Sequence, residues 1–241
     1  EQGREALSAA IVTAKSKGQR RVLSLPLQSS NDRSDQQVRR ADEALENAIN
    51  LLEQPSRYPS SRATLRGIEG SAARQYFAGL QAYFPPSLGF EGRNKRPPRD
   101  PVNVGLSLGY TLLHAEAVQA VTAAGLDPML GIYHDLQPGR PSLASDLIEP
   151  ARFLIDETVI ELFRDDRLRA EHFTTSQSGC RLGKAGRQAA YRAFESDGVL
   201  RRRWLRRLTN GLVRWIREYD NNSGNAVPQL LISPASSGSE E

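Results

Sequence analysis

PVNVGLSLGYTLLHAEAVQAVTAAGLDP, residues 101–128, decides the fold class. Pro101 suits the first turn of a helix, where its missing N–H goes unused. No proline interrupts the run until Pro128, and Gly125 supplies the stop, so the spacing predicts one long helix from Pro101 to about Ala123. The most apolar part, Val102 to Leu126, carries His114 and Glu116, which excludes a membrane span. Working outward, apolar residues recur at helical spacing almost everywhere. Arg4–Lys17 reads as a helix. Val38, Ala41, Leu45, Ala48 and Leu52 mark the next, with Asp32 or Ser34 as its cap. Leu65, Ile68, Ala72, Tyr76 and Leu80 mark another. Ser142 is expected to cap a helix to about Phe163 that Pro150 kinks. Residues 187–195 and 199–219 complete the set, and only Arg21–Leu27 looks strand-like. The chain is expected to be all-α.

Composition narrows the function. Of 241 residues 39% are hydrophobic and 25% charged, which describes a chain able to bury a core. The single cysteine, Cys180, excludes an intrachain disulfide and suits a reducing compartment; it reads as a packing residue. The net charge is +4, but residues 164–218 hold 13 Arg and 1 Lys against 6 acidic residues. That one-sided segment is the footprint of a polyanion partner. Arg201-Arg202-Arg203 and Arg206-Arg207 frame Trp204 within it. A second basic segment, residues 85–99, contains four prolines with Arg93, Lys95, Arg96 and Arg99. Zinc-finger, Walker and dinucleotide-binding patterns are absent from the sequence, which argues against nucleotide-cofactor chemistry.

Four polar residues stand where a helical protein would place apolar ones. Glu69 lies on the face shared by Leu65, Ala72 and Tyr76, with Gly67, Gly70, Ser71 and Ala73 allowing close approach. On spacing alone it reads equally well as a boundary Glu paired with Arg66 or Arg74. His134 ends the run Gly131-Ile132-Tyr133, and Asp135 follows it as an outer candidate. Taken alone, such a histidine is more often a hydrogen-bonded structural residue than a ligand. Asp146 and Glu149 stand at i and i+3, so both carboxylates reach one spot. Carboxylates with one imidazole suit Mg2+ or Mn2+ rather than structural zinc. Clustered carboxylates repel, so removing His134 or Glu149 is expected to leave stability unchanged or raised. His114 and His172 are given no role, whereas Asn103 and Tyr110 share a helix face and are expected to support the site.

The blocks Leu65-Arg66-Gly67-Ile68-Glu69-Gly70, Ala124-Gly125-Leu126-Asp127-Pro128, Gly131-Ile132-Tyr133-His134 and Gly139-Arg140-Pro141-Ser142-Leu143-Ala144-Ser145-Asp146-Leu147-Ile148-Glu149 resemble, in order and spacing, those of the CRISPR-associated spacer-acquisition integrases. The resemblance covers roughly residues 62–190. It implies a helical catalytic domain whose metal, Mg2+ or Mn2+, is held by Glu69, His134 and Glu149, with Asp146 close behind them. It implies a metal-dependent DNA endonuclease and integrase that inserts prespacer DNA into a CRISPR repeat. It further implies a homodimer joined by a small CRISPR-associated partner protein bridging two dimers, in a prokaryotic cytoplasm. Arg93, Lys95, Arg96, Arg99, Arg140, Arg202, Arg203 and Arg206 are the expected DNA contacts.

Such proteins normally begin with a β-rich domain. This chain opens directly into a helix, and Met129 is its only methionine. Residues 1–62 are therefore expected to be a helical lead-in from a missing domain, 63–220 the catalytic domain and 221–241 a disordered tail. That start is expected of a fragment, a processed product or part of a fusion, for example with a reverse transcriptase. Two other readings remain: a transposon-encoded integrase with the same core, which carries an added DNA-binding module, and a catalytically silent DNA-binding scaffold.

Overall fold

A computed structural model describes residues 2–28, 31–53 and 62–221. The expected tail lies, beyond Asn221, outside the described residues. The order is α1 (Gln2–Leu23), α2 (Asp32–Glu53), α3 (Arg62–Leu80), α4 (Pro101–Ala123), α5 (Ser142–Ile148), α6 (Arg152–Arg164), β1 (Phe173–Ser176), β2 (Gly179–Leu182), α7 (Lys184–Ser196) and α8 (Gly198–Asn221). The fold is all-α with one small hairpin, in which β1 and β2 pair antiparallel from Phe173–Leu182 to Ser176–Gly179.

The helix bounds follow from local chemistry. Asp100 caps α4 by accepting from Asn103 N–H at 2.8 Å, and Pro101 fills the first helical position. At the start of α2 the cap is neither Asp32 nor Ser34 but Asn31. Its Oδ1 accepts from Ser34 N–H at 2.9 Å, and Ser34 Oγ accepts from Asn31 N–H at 3.0 Å, a reciprocal capping box. Ser142 is likewise no cap: it is the first residue of α5, and its hydroxyl donates to Asp135 O at 2.9 Å. Pro150, lacking an N–H, tightens the chain into a 3-10 turn over Glu149–Ala151. That turn divides the expected single helix into α5 and α6.

The strand expected over Arg21–Leu27 does not form. Leu23, Leu25 and Leu27 mimic alternation, yet α1 runs to Leu23 and passes through Gly18, whose missing side chain lets Phe153 pack against the helix. A Cβ on Gly18 would lie 2.7 Å from Phe153 Cδ1.

The segment read as a lead-in packs into the same body as the rest. Val22 and Leu23 join the main core with Leu45, Tyr76, Leu106, Leu113, Ile155 and Phe194. Leu7 and Ala10 pack with Leu143, Leu147, Leu208 and Leu212. Ile11 and Val12 meet Leu52, Leu65 and Tyr133. With Ser8, Thr13, Ser16 and Gln19 buried as well, α1 is enclosed on nearly every side. A helix buried all round shows no amphipathic stripe to read.

One buried polar group crosses the core. Asp156, 1% exposed, accepts from Tyr76 Oη at 2.6 Å and from Tyr110 Oη. Burial pushes its carboxyl above the usual range, although both tyrosine bonds pull the other way. The Arg152 guanidinium lies 4.5 Å from the centre of the Tyr110 ring, which ties this group to the region described next.

Candidate functional site

Four elements meet where α1, α3, the loop 127–141 and the α5–α6 joint come together. Asp146 organises the loop. It is fully buried, and its Oδ2 accepts from the backbone N–H of Ile132 and of Tyr133, the latter at 3.0 Å. Its Oδ1 accepts from His134 N–H at 2.9 Å and lies 2.6 Å from His134 Nδ1. Asp146 already accepts three backbone N–H bonds, so we assign the Nδ1 proton to the imidazole as a further donor. That bond fixes the ring's orientation and leaves Nε2 as the nitrogen not engaged by Asp146, the arrangement a carboxylate imposes on a metal-ligating histidine.

The rest of the loop is clamped from two sides. Arg4 donates from Nε to Ile132 O at 2.8 Å, and Asp135 pairs with Arg62 and Arg66, each at 2.6 Å. Asp135 thus faces α3 rather than the site. Gly131 permits the close approach, since a Cβ there would lie 2.5 Å from His134 O and 2.6 Å from Ser142 Cβ.

Glu69 and Glu149 converge although 80 positions separate them in sequence. Between them stands Lys15 of α1, which donates to Glu69 Oε1 and lies 2.7 Å from Glu149 Oε2. The three side chains are 20%, 5% and 12% exposed for Glu69, Glu149 and Lys15. The Tyr133 hydroxyl donates to the second oxygen of Glu69, bringing the histidine loop against the pair. Arg152 forks onto Glu149, Nε to Oε2 at 3.0 Å and Nη2 to Oε1 at 2.9 Å.

These partners set the electrostatics. Burial alone raises the Glu149 carboxyl, but Arg152 and Lys15 outweigh it and hold the group below the usual range. Burial lowers the Lys15 ammonium, and Glu149 and then Glu69 more than restore it. Burial and the bond to Glu69 push the Tyr133 hydroxyl above its ordinary range. The premise behind expecting Glu149 to be removable without loss of stability, repulsion among clustered carboxylates, does not hold here. The neighbours of Glu149 are cations, not carboxylates alone.

The structure therefore brings Glu69 and Glu149 onto one cation, with His134 on the adjoining loop and Asp146 on α5 holding that loop. Among the described residues no three His, Cys, Asp or Glu side chains already stand close enough to hold an ion. Lys15 fills the space between the carboxylates instead. Sequence reading missed both Lys15 and Arg152. The available signal was a lysine directly after the mostly apolar run Ala9 to Ala14, and a basic residue three positions after Glu149.

The expected DNA contacts divide. Arg93 turns inward, with Nη1 on Asn103 Oδ1 at 2.7 Å, Nη2 on Ser107 Oγ at 3.0 Å and its guanidinium 5.5 Å from the Tyr110 ring centre. It braces the Pro-rich loop on Asn103, whereas Tyr110 reaches the site through Arg152. Lys95, Arg96 and Arg99 are exposed, and Arg140 is half-buried. Although the Lys95 side chain is exposed as a whole, partial burial of its ammonium and the nearby Arg152 pull it below the ordinary lysine range. The hairpin supports this loop from beneath, through Cys180 N–H to Pro98 O at 2.7 Å.

The α8 arginines also separate by helix face. Arg201 is 2% exposed and forks onto Glu116 at 3.1 and 3.0 Å, and Arg202 pairs with Glu116 and Glu195. Arg203, Arg207 and Arg214 form an exposed stripe at i, i+4 and i+11, with Arg206 on the adjoining row. Replacing the three stripe arginines with Gln should reduce the slope of log K against log salt for duplex DNA by up to about 2.7, at about 0.9 for each phosphate no longer neutralised. Filter-binding titrations on two unrelated sequences check it, and an unchanged slope removes α8 from the interface.

His114 and His172 keep structural places. His114 Nε2 lies 3.4 Å from Ser145 Oγ, and His172 Nδ1 accepts from Arg169 N–H at 3.2 Å. Among the described residues no helix is long and apolar enough to cross a membrane.

Comparison with known proteins places this arrangement. Residues 1–196 match the sequence family described as CRISPR associated protein Cas1. CRISPR-associated endonuclease Cas1 1 of Thermodesulfovibrio yellowstonii is 43% identical over 184 residues, 76% of this chain and 57% of that protein. The chain thus spans little more than half the length of that relative. A solved partial Cas6-RT-Cas1–Cas2 complex superposes with a TM-score of 0.79 at 25% identity, covering 92% of this chain and 67% of the matched one. A casposase bound to an integration product superposes at 0.70 with 24% identity, over 87% of this chain and 60% of that one, and shares the fold.

Proposed function

The chain belongs to the CRISPR-associated Cas1 family, and from that premise we propose that it is the catalytic part of a metal-dependent DNA endonuclease and integrase. The observation that carries this reading is the convergence of Glu69 and Glu149 on a single cation, with the loop that bears His134 tied to Glu69 through the Tyr133 hydroxyl. A cationic nitrogen already stands between two carboxylates, and the Tyr133 hydroxyl holds the His134 loop against Glu69, so two carboxylates with one imidazole on the neighbouring loop form a donor set suited to a hard divalent ion. Glu69, His134 and Glu149 would hold it. Bound there, Mg2+ or Mn2+ would polarise a scissile phosphate and stabilise the leaving 3′-oxygen.

The chain's own groups perform the remaining tasks. Asp146 holds the His134 ring in one orientation through Nδ1. Arg152, braced on Tyr110, keeps both oxygens of Glu149 aimed inward. Lys95, Arg96, Arg99 and Arg140 lie on the loops around the site and would hold phosphates in register without reading bases. In the transfer, the 3′-hydroxyl of an incoming fragment forms a bond to phosphorus as the bond to the target strand's 3′-oxygen breaks. One phosphodiester replaces another, and no ATP is consumed.

The substrates we propose are prespacer DNA and a CRISPR repeat. The proposed assembly is a homodimer with a small bridging partner; the similarity to the Cas1–Cas2 complex supports that partner. Nicking of branched DNA should require Mg2+ or Mn2+. His134→Ala should remove it while leaving the melting temperature nearly unchanged, since the ring is 23% exposed and its removal leaves Asp146 three backbone donors. A gel assay with and without chelator checks this. Nicking that survives excess chelator excludes the metal reading, and binding with no nicking under any divalent ion favours a silent scaffold.

A further inference from the structure

We propose that Lys15 is the resident counter-cation of this site: its ammonium holds Glu69 and Glu149 together in the metal-free protein and yields its place when a divalent ion binds. The inference rests on the metal-site reading above and adds a role for a residue outside the ligand set.

The argument is one of position and freedom. Lys15 lies on α1 between buried neighbours, with Ala14 and Ser16 beside it and Ile11 and Val12 a turn before. A lysine so placed is tolerated only with partners, and its two are the carboxylates expected to ligate metal. Those carboxylates have other restraints. Arg152 grips both oxygens of Glu149, and the Tyr133 hydroxyl holds the second oxygen of Glu69. Their orientation therefore survives withdrawal of the ammonium.

The two cations differ in mobility. Arg152 is fixed by its fork on Glu149 and by the Tyr110 ring 4.5 Å away. Lys15 is a point charge on a flexible four-carbon stem. With Lys15 and Arg152 both in place, the two carboxylates are already neutralised. An added divalent charge would meet an ammonium on the same oxygens, and like charges at such range repel strongly. Lys15 is the group able to move.

The test compares wild type and Lys15→Met, full chain and without DNA, by calorimetric titration with Mn2+ and by melting temperature. Metal-free Lys15→Met should melt lower than wild type, because the two carboxylates then face each other without the ammonium. Mn2+ should bind it at least tenfold more tightly than wild type and raise its melting temperature by more. Lys15→Arg should stay near wild type in the metal-free state. Equal or weaker Mn2+ binding by Lys15→Met overturns the proposal. If that happens while His134→Ala still abolishes Mn2+ binding, the metal site stands and only the role of Lys15 falls. No saturable binding to either protein removes both. Should Lys15→Met fail to fold, the wild-type Lys15 Nζ resonance, assigned by its absence in Lys15→Arg, replaces it as the readout. It should shift saturably with Mg2+, and a resonance unmoved at saturation contradicts displacement.

Discussion

Glu149→Ala should lower stability by about 3–5 kcal/mol, the loss typical when one partner of a buried ion pair is removed. The variant strands Arg152 and Lys15, both mostly buried, and leaves Glu69 as the only carboxylate beside Lys15. For a domain of this size that corresponds to a fall in melting temperature of about 6–20 °C. DNA nicking should vanish with it. Glu149→Gln separates the two effects, because its amide oxygen keeps one hydrogen bond from Arg152 while the charge is gone. It should lose nicking as completely and stability less. A Glu149→Ala protein that melts with wild type would mean that the cations find other partners, and would remove the electrostatic account of this joint.

Asp146→Ala is the second large effect. Three backbone N–H groups and one imidazole N–H lose their acceptor, at about 1–3 kcal/mol for each buried donor left unsatisfied. Asp146→Asn should be nearly as damaging, since only one amide atom accepts while the other presents hydrogens to the same donors. Hydrogen exchange reads this directly: the amides of Ile132, Tyr133 and His134 should lose protection while α4 keeps its own. Unchanged protection in these three amides would show that Arg4 and the Arg62–Asp135–Arg66 clamp suffice to hold the loop.

Much of the fold was legible because its punctuation is local. Pro101, Gly125 and Pro128 set the bounds of α4, and the i, i+3 spacing of Asp146 and Glu149 marked both as site candidates. Local spacing did not separate their tasks. Asp146 is consumed by backbone donors of the loop before it, whereas Glu149 faces two cations, a difference set by what packs opposite each. Lys15 was hidden for a related reason. Its partner Glu69 lies 54 residues away, on another helix, and α1 is enclosed on too many sides to show a stripe.

Two other misreadings have physical causes. Leu23, Leu25 and Leu27 alternate as a strand would, yet Leu23 fills the helical core together with Val22. The true strand Phe173–Ser176 carries three exposed residues out of four, so no alternation marks it. The arginine run looked uniform as a string. Helical rotation sends Arg201 into Glu116 and Arg203, Arg207 and Arg214 to solvent, which period and burial decide together.

The central claim is that Glu69, His134 and Glu149 form one divalent-metal site serving DNA strand transfer. Crystals of the protein soaked in Mn2+ and measured at the manganese absorption edge test it most directly. The account predicts one anomalous peak bounded by Glu69, His134 Nε2 and Glu149, and its loss in crystals of Glu149→Gln. A peak elsewhere, or none at all in protein that still cleaves DNA with Mn2+, would contradict it.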